Sequence, residues 1–207
     1  MFYPIAGRLL MVAALALLLA GKPLAVTAEE AGEAAATSGP TIADIRAPLY
    51  ITDVGQGNTA RMVEMLLRRL GEWEMVRDDT GKADALDGYE TLVIGVGGST
   101  KGLGAAGLDV GSERERTEAL LEKAKEMGIP VVGVHIGGEP RRGELSDPFN
   151  ALVCEHATAF IVYEGGNQDG FFTEIAEEHE VHLVEVEQKP ETGTALAELL
   201  RKAAGEE

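Results

Sequence analysis

Residues 90–96 read ETLVIGV and run without a break into 97–104, GGSTKGLG. A short run rich in Val, Ile and Leu that ends at paired glycines has the length and composition of a buried strand. The same grammar repeats outward in both directions. Strands are predicted over 48–54 (PLYITDV), 73–77 (WEMVR), 90–96, 130–135 (PVVGVH), 158–163 (TAFIVY) and 181–186 (VHLVEV). Helical-period segments fill the gaps, and glycine-rich stretches mostly sit between a strand and the next helix. That alternation is what a parallel sheet covered on both faces requires.

Local signals punctuate the helices. Asn58 is placed to cap the helix bearing Met62, Val63, Met65 and Leu66, which stops at Gly71. Ser112 with Glu115 forms a capping-box pattern, and Gly128 then Pro130 end the helix carrying Leu120, Leu121 and Ala124. Asp147 before Pro148 is a helix entry, Asp169 opens the helix of Phe172 and Ile175, and a last helix starts near Thr194. Right-handed crossovers and short connections then give one α/β domain, a doubly wound, mostly parallel sheet of five or six strands with helices on both faces. The expected strand order is the flavodoxin-like 2-1-3-4-5 with a sixth strand at the far edge, and 3-2-1-4-5 is the alternative.

The amino terminus reads as an address. Arg8 precedes an apolar run from Leu9 to Ala20, and Val26-Thr27-Ala28 suits signal peptidase, so residues 1–28 are expected to be removed after Ala28. The run falls short of the ~20 residues that cross a bilayer as a helix. Residues 29–47, rich in Ala, Glu, Gly, Thr and Ser, are expected to form a disordered lead, with the domain over 48–207. The protein is therefore expected to be exported, to the periplasm or beyond, with no membrane span after cleavage.

Charge narrows the partners. The chain holds 35 acidic and 18 basic residues, a net charge of −17, and loss of Arg8 and Lys22 with the leader takes it to −19. Such a surface repels phosphate backbones and argues against nucleic acid. Cys154 is the sole cysteine, so no internal disulfide forms, and its helical neighbours Phe149, Leu152 and Val153 mark it as a buried apolar group.

In a wound sheet, ligands bind beyond the carboxyl ends of the strands, where strand order reverses. Four glycine-rich turns are expected on that rim: Gly55 to Asn58, Gly97 to Gly104, Gly137 to Gly143 and Gly165 to Gly170. The leading function is an extracytoplasmic binding domain for a small anionic or polar solute, which it presents to a membrane transporter or envelope partner. Lys101, Arg141 and Arg142 supply charge, and Gly98, Ser99, Thr100 and Gly102 supply amides and hydroxyls. Gln56, Asn58, His135, Glu139, Asn167 and Asp169 complete the expected ligand set. The plain alternative is that the glycines only shape turns and the cations pair with Glu139, Glu144 or Asp147.

The same residues admit other chemistries. A hydrolase of esters or envelope polymers would use Ser99 as nucleophile, His135 as base and Asp53 or Asp109 as orienter, although Lys101 stands where a nucleophile elbow needs its second glycine. Gly57-Asn58-Thr59 resembles the phosphate loop of flavodoxins, but the hydroxyl residues are missing and no aromatic side chain is placed to stack on a flavin, so no cofactor is expected. GGSTKG lacks the Walker spacing. His179 and His182 straddle a helix end and a strand start, so no metal site is expected. A scaffold or interaction protein with no small-molecule site is the third class.

Three segments carry a resemblance: GVGGSTKGLGAAGLD (95–109), GVHIGGEPRRGELSD (133–147) and EGGNQDGFFTEIA (164–176). Together they resemble a family of bacterial exported proteins classed only as a domain of unknown function, over about residues 48–185. The resemblance implies an extracytoplasmic α/β domain with signature residues Lys101, Gly102, Gly104, His135, Arg141, Arg142, Asp147, Asn167 and Asp169. It implies no activity. Members often carry Ser where this chain has Gly57.

Overall fold

The computed structural model describes residues 39–205. The expected signal peptide, its cleavage point and most of the lead lie outside these residues. Six strands form one wholly parallel sheet: β1 (Leu49–Val54), β2 (Met75–Arg77), β3 (Thr91–Val96), β4 (Val131–His135), β5 (Ala159–Tyr163) and β6 (His182–Val186). Their order is β2-β1-β3-β4-β5-β6, the flavodoxin-like arrangement, so strand order reverses between β1 and β3.

Among the described residues six α-helices pack with them, five between strands and the sixth after β6: α1 (Thr59–Leu70), α2 (Thr100–Ala106), α3 (Val110–Met127), α4 (Asp147–Glu155), α5 (Phe171–Glu178) and α6 (Glu191–Ala203). Alternate residues of each central strand feed two apolar cores. Leu49, Ile51, Val132, Val134 and Ile161 meet Val63 and Leu67 of α1 and Leu196 and Leu200 of α6. Tyr50, Val54, Ile94, Phe160 and Val162 meet Leu120 and Leu121 of α3, Phe149 of α4 and Phe172 of α5. At ~1.5–3 kcal/mol for each large side chain taken from water, burial on two faces is what holds the sheet. Cys154 lies in the second of these cores, and burial pushes its thiol up to about 12.

Several helix ends differ from the sequence expectation. The box that opens α3 is Asp109 with Ser112, one turn earlier than Ser112 with Glu115, because the Asp109 carboxylate accepts the Ser112 amide at 2.7 Å. Asn58 stands at the N-cap of α1 in the left-handed region, φ 70°, and its side chain caps nothing. α6 begins at Glu191 rather than near Thr194, since Glu191 reaches back to the Gln188 amide. On α1, Ala60, Val63 and Leu67 face the core, whereas Met62 and Met65 stay exposed.

Part of the expected lead is built into the domain. Ile42–Asp44 form a 3-10 turn, Ile45 is fully buried, and the Arg46 amide bonds the Thr91 hydroxyl at 2.9 Å. Among the described residues no helix is long and apolar enough to cross a membrane.

Candidate functional site

The turns leaving β1 and β3 close on each other. Gln56 and Gly98 form an isolated antiparallel bridge, the Ser99 amide donates to the Gly55 carbonyl at 2.8 Å, and the Gly97 amide donates to Val54 at 3.0 Å. Backbone lies so near backbone that a Cβ at Gly57 would collide with the Gly97 carbonyl and one at Gly102 with the Gln56 carbonyl. The glycines at the switch point thus fill the crevice with main chain instead of leaving a cradle.

The run expected as a glycine loop is half helix. Ser99 caps α2, and its hydroxyl oxygen accepts the Gly102 amide at 3.1 Å, so Thr100, Lys101 and Gly102 lie in the first helical turn. Thr100 and Lys101 point outward and are exposed. The Gln56 side-chain amide is also committed, donating to the Asp79 carbonyl at 2.8 Å and to Glu113 at 3.1 Å.

That second partner reveals a pair that sequence reading missed. Glu113 is fully buried, accepts the Gly55 amide at 2.8 Å, and is paired with Arg116 at 2.8 Å. Arg116 in turn donates to the Asp53 and Gly81 carbonyls. A signal was present: Glu113, Thr117, Leu120, Leu121 and Ala124 share one helical face, so Glu113 occupies a core position of α3. Across the sheet, the Asp53 carboxylate is buried with an unpartnered Oδ1, and Asp79 has another. Burial first, then the Asp79 charge, push Asp53 up to about 7, while the amides of Asn58, Thr59 and Ala60 pull it part of the way back.

The turns after β4 and β5 make a second polar assembly. Arg142 uses all five guanidinium donors within the chain. It reaches Asp147 at 2.8 and 3.4 Å, Asp169 at 2.9 and 3.0 Å and the Gly166 carbonyl at 2.5 Å, and it stacks 4.1 Å from the Phe171 ring centroid. The role expected of Arg142, to offer charge to a solute, is therefore taken up by Asp147 and Asp169. Asn167 is likewise structural: it donates to Thr173 at 2.9 Å and Glu185 at 2.6 Å and accepts the Phe172 amide at 2.9 Å.

Arg141 is different. Its half-buried side chain crosses from the β4 turn to the β3 turn and donates to the Gly98 carbonyl at 2.7 Å. No carboxylate pairs with it among the described residues. Between the β4 and β5 turns, a hollow of about 220 Å³ is lined by Glu139, Arg142, Gly165, Gly166, Gln168 and Asp169, without Arg141. Under these turns His135 is wholly buried, its Nε2 lies 3.4 Å from the Gly138 carbonyl, and its Nδ1 has no partner. Burial pulls this imidazole down to about 4, so it is neutral at pH 7. The Asn150 Oδ1 is also buried and unpartnered.

The residues expected for a hydrolase are not brought together. The Ser99 hydroxyl is held by Gly102, and Asp109 is spent on capping α3. Asp53 shares its face of the sheet with Leu49 and Ile51, whereas His135 packs on Phe172 in the opposite core. His179 and His182 line a larger hollow of about 750 Å³ at the amino end of the sheet, with His156. There His156 bonds its own helix, at the Leu152 carbonyl, and no buried polar atom lacks a partner. Among the described residues no group of three His, Cys, Asp or Glu side chains converges as a metal-binding set.

This geometry spans a segment recognised by a family profile. The profile of the family described as Domain of unknown function (DUF6305) matches residues 46–200. The chain belongs to this family. The match begins at Arg46, next to the buried Ile45, and reaches into α6. No curated protein matches the chain. Among solved structures, the domain overlaps a protein described as lipolytic, of the G-D-S-L family, from Desulfitobacterium hafniense DCB-2. That overlap has 13% identity and a TM-score of 0.34, over 75% of this chain and 97% of that one. A mutant of the esterase AlinE4 overlaps at 15% identity and a TM-score of 0.31, over 78% of this chain and 82% of that one. Overlaps this loose carry no chemistry across.

Proposed function

We propose that this DUF6305 domain is a non-catalytic binding domain that acts outside the cytoplasmic membrane, after a leader ending at Ala28 is removed. It takes a small anionic or polar solute at the carboxyl rim of the sheet and presents it to a membrane transporter or envelope partner. The observation that carries this reading is Arg141: a half-buried side chain with one carbonyl partner and, among the described residues, no carboxylate, in a chain of net charge −17. An acidic protein that leaves such a group unpaired at a strand-end rim offers a carboxylate or phosphate ester a two-pronged donor. Lys101, exposed three residues beyond the Gly98 carbonyl that Arg141 holds, supplies a second charge. The polar hollow next to Arg142 gives the remainder of the solute room.

Isothermal titration against a panel of small carboxylates and phosphate esters tests this. A ligand is expected whose affinity falls at least tenfold in Arg141→Ala, while the unliganded protein stays folded and gives up about 1 kcal/mol with the hydrogen bond to the Gly98 carbonyl. Arg142→Ala is the contrasting variant: it leaves Asp147 with Asn150 alone and strips the Gly166 carbonyl, and is expected to cost about 1–3 kcal/mol of stability. A panel that yields no ligand, or a ligand indifferent to Arg141, overturns the proposal. Turnover of chromogenic esters that is lost in Ser99→Ala would replace it with the hydrolase reading.

A further inference from the structure

Helix α1 carries a face that the fold leaves uncovered and whose charge is opposite to that of the chain. Of the five large apolar side chains exposed among the described residues, Met62, Met65 and Leu70 lie on this one helix. Met62 is 39% exposed and Met65 47%. Both line a groove of about 170 Å³ with Leu66, Arg69, Lys189 and Pro190. Leu66 is set by α6, which comes so near at Gly193 that a Cβ there would press on the Leu66 side chain.

The lining contains two cations and no carboxylate, in a protein with nearly twice as many acids as bases. Arg69 and Lys189 make no ion pair among the described residues. Lys189 instead lies 5.2 Å from the Tyr163 ring centroid and 3.5 Å from the Gly137 carbonyl. Methionine side chains are unbranched and polarizable, so a methionine-lined groove adapts to a partner's apolar side chains. Cations at its edge then select the flanking charge of that partner.

We infer that the groove between α1 and the Lys189-Pro190 turn docks an acidic segment of a partner protein, with one or two apolar side chains between Met62 and Met65 and carboxylates against Arg69 and Lys189. Charge and shape decide among the occupants. A second copy placed symmetrically on the groove would set Arg69 against Arg69, which like charges oppose. An anionic bilayer is flat and repels a body of charge −17, whereas this surface is concave and carries no aromatic anchor.

Methyl-labelled methionine in the full chain reads the site directly by NMR. The probes are two synthetic 15-residue peptides with leucine at helical spacing, one with glutamate at all other positions and one with lysine. The glutamate peptide is expected to shift the Met62 and Met65 methyl signals and leave Met75 and Met127 unmoved, and added salt should weaken it. Arg69→Glu and Met65→Glu each lie on the exposed surface and are expected to weaken binding at least tenfold without changing the melting temperature. If Met65→Glu melts early, Arg69→Glu alone decides. Shifts with the lysine peptide alone, no shifts with either, or shifts seen only with phosphatidylglycerol vesicles overturn the inference. So do shifts that track protein concentration with no peptide added.

Discussion

Asp53, next to last in β1, and His135, last in β4, lie on opposite faces of the sheet with β3 between their strands, and burial acts on them with opposite sign. Asp53 is raised from an ordinary 3.8 to about 7, by burial and then by the charge of Asp79. In the folded protein it holds a proton that the unfolded chain has released. The stability it contributes is present below about pH 4 and is lost as pH rises through 7. His135 falls from 6.5 to about 4, chiefly through burial, so its contribution is present above pH 6.5 and is lost as pH falls through 4. Between about pH 4 and 6.5 the two slopes oppose, and above 6.5 that of Asp53 stands alone. Asp53→Asn keeps the neutral state at every pH. Urea unfolding should show the variant gaining on the wild type between about pH 5 and pH 8, and a constant gap would exclude titration at Asp53.

The turn from β3 into α2 shows how one residue type serves two ends within three positions. Gly102 faces the Gln56 carbonyl with no room for a Cβ, while Gly104 has nothing within 4 Å of the corresponding point. Gly102→Ala is expected to cost about 1–3 kcal/mol through forced displacement of backbone. Gly104→Ala should add about 0.5–1 kcal/mol, because alanine restricts the unfolded chain and favours the helix. Denaturant midpoints of the two variants, moving in opposite directions, check the pair. The four central strands are legible as compact apolar runs bounded by turn residues, as 90–96 is expected and Thr91–Val96 observed, and the edge strands β2 and β6 by alternation of apolar with polar residues. α2 was not, because Gly102 and Gly104 disguise a seven-residue helix whose one clear mark is the Ser99 cap. On α1 a helical period was legible, but not that Met62 and Met65 fall just outside the covered arc.

Across the whole molecule, a net charge of −17 sets the balance of long-range forces. Its exposed ion pairs, such as Arg46–Glu90 and Arg114–Glu118, contribute little and are weakened by salt, whereas mutual repulsion of the surplus carboxylates is relieved by it. The melting temperature at about pH 7.5 is expected to rise by a few degrees between ~0.05 and ~0.5 M NaCl. A fall would show that local pairs dominate. At this scale the rim was legible as a place, since topology alone carries the turns of β1, β3, β4 and β5 to one end. Its allocation of charge was not. Arg142 meets Asp169 across 27 residues, and no spacing rule tells it from Arg141, one position earlier, which meets neither. The interlocked turns at the switch point bear on tempo as well. With the switch-point crevice occupied by its own backbone, the domain leaves the solute proposed above only the lip of the sheet, which no element covers among the described residues. A proposed site so open is expected to exchange its solute fast, with release in milliseconds rather than minutes, as a carrier needs and a store does not.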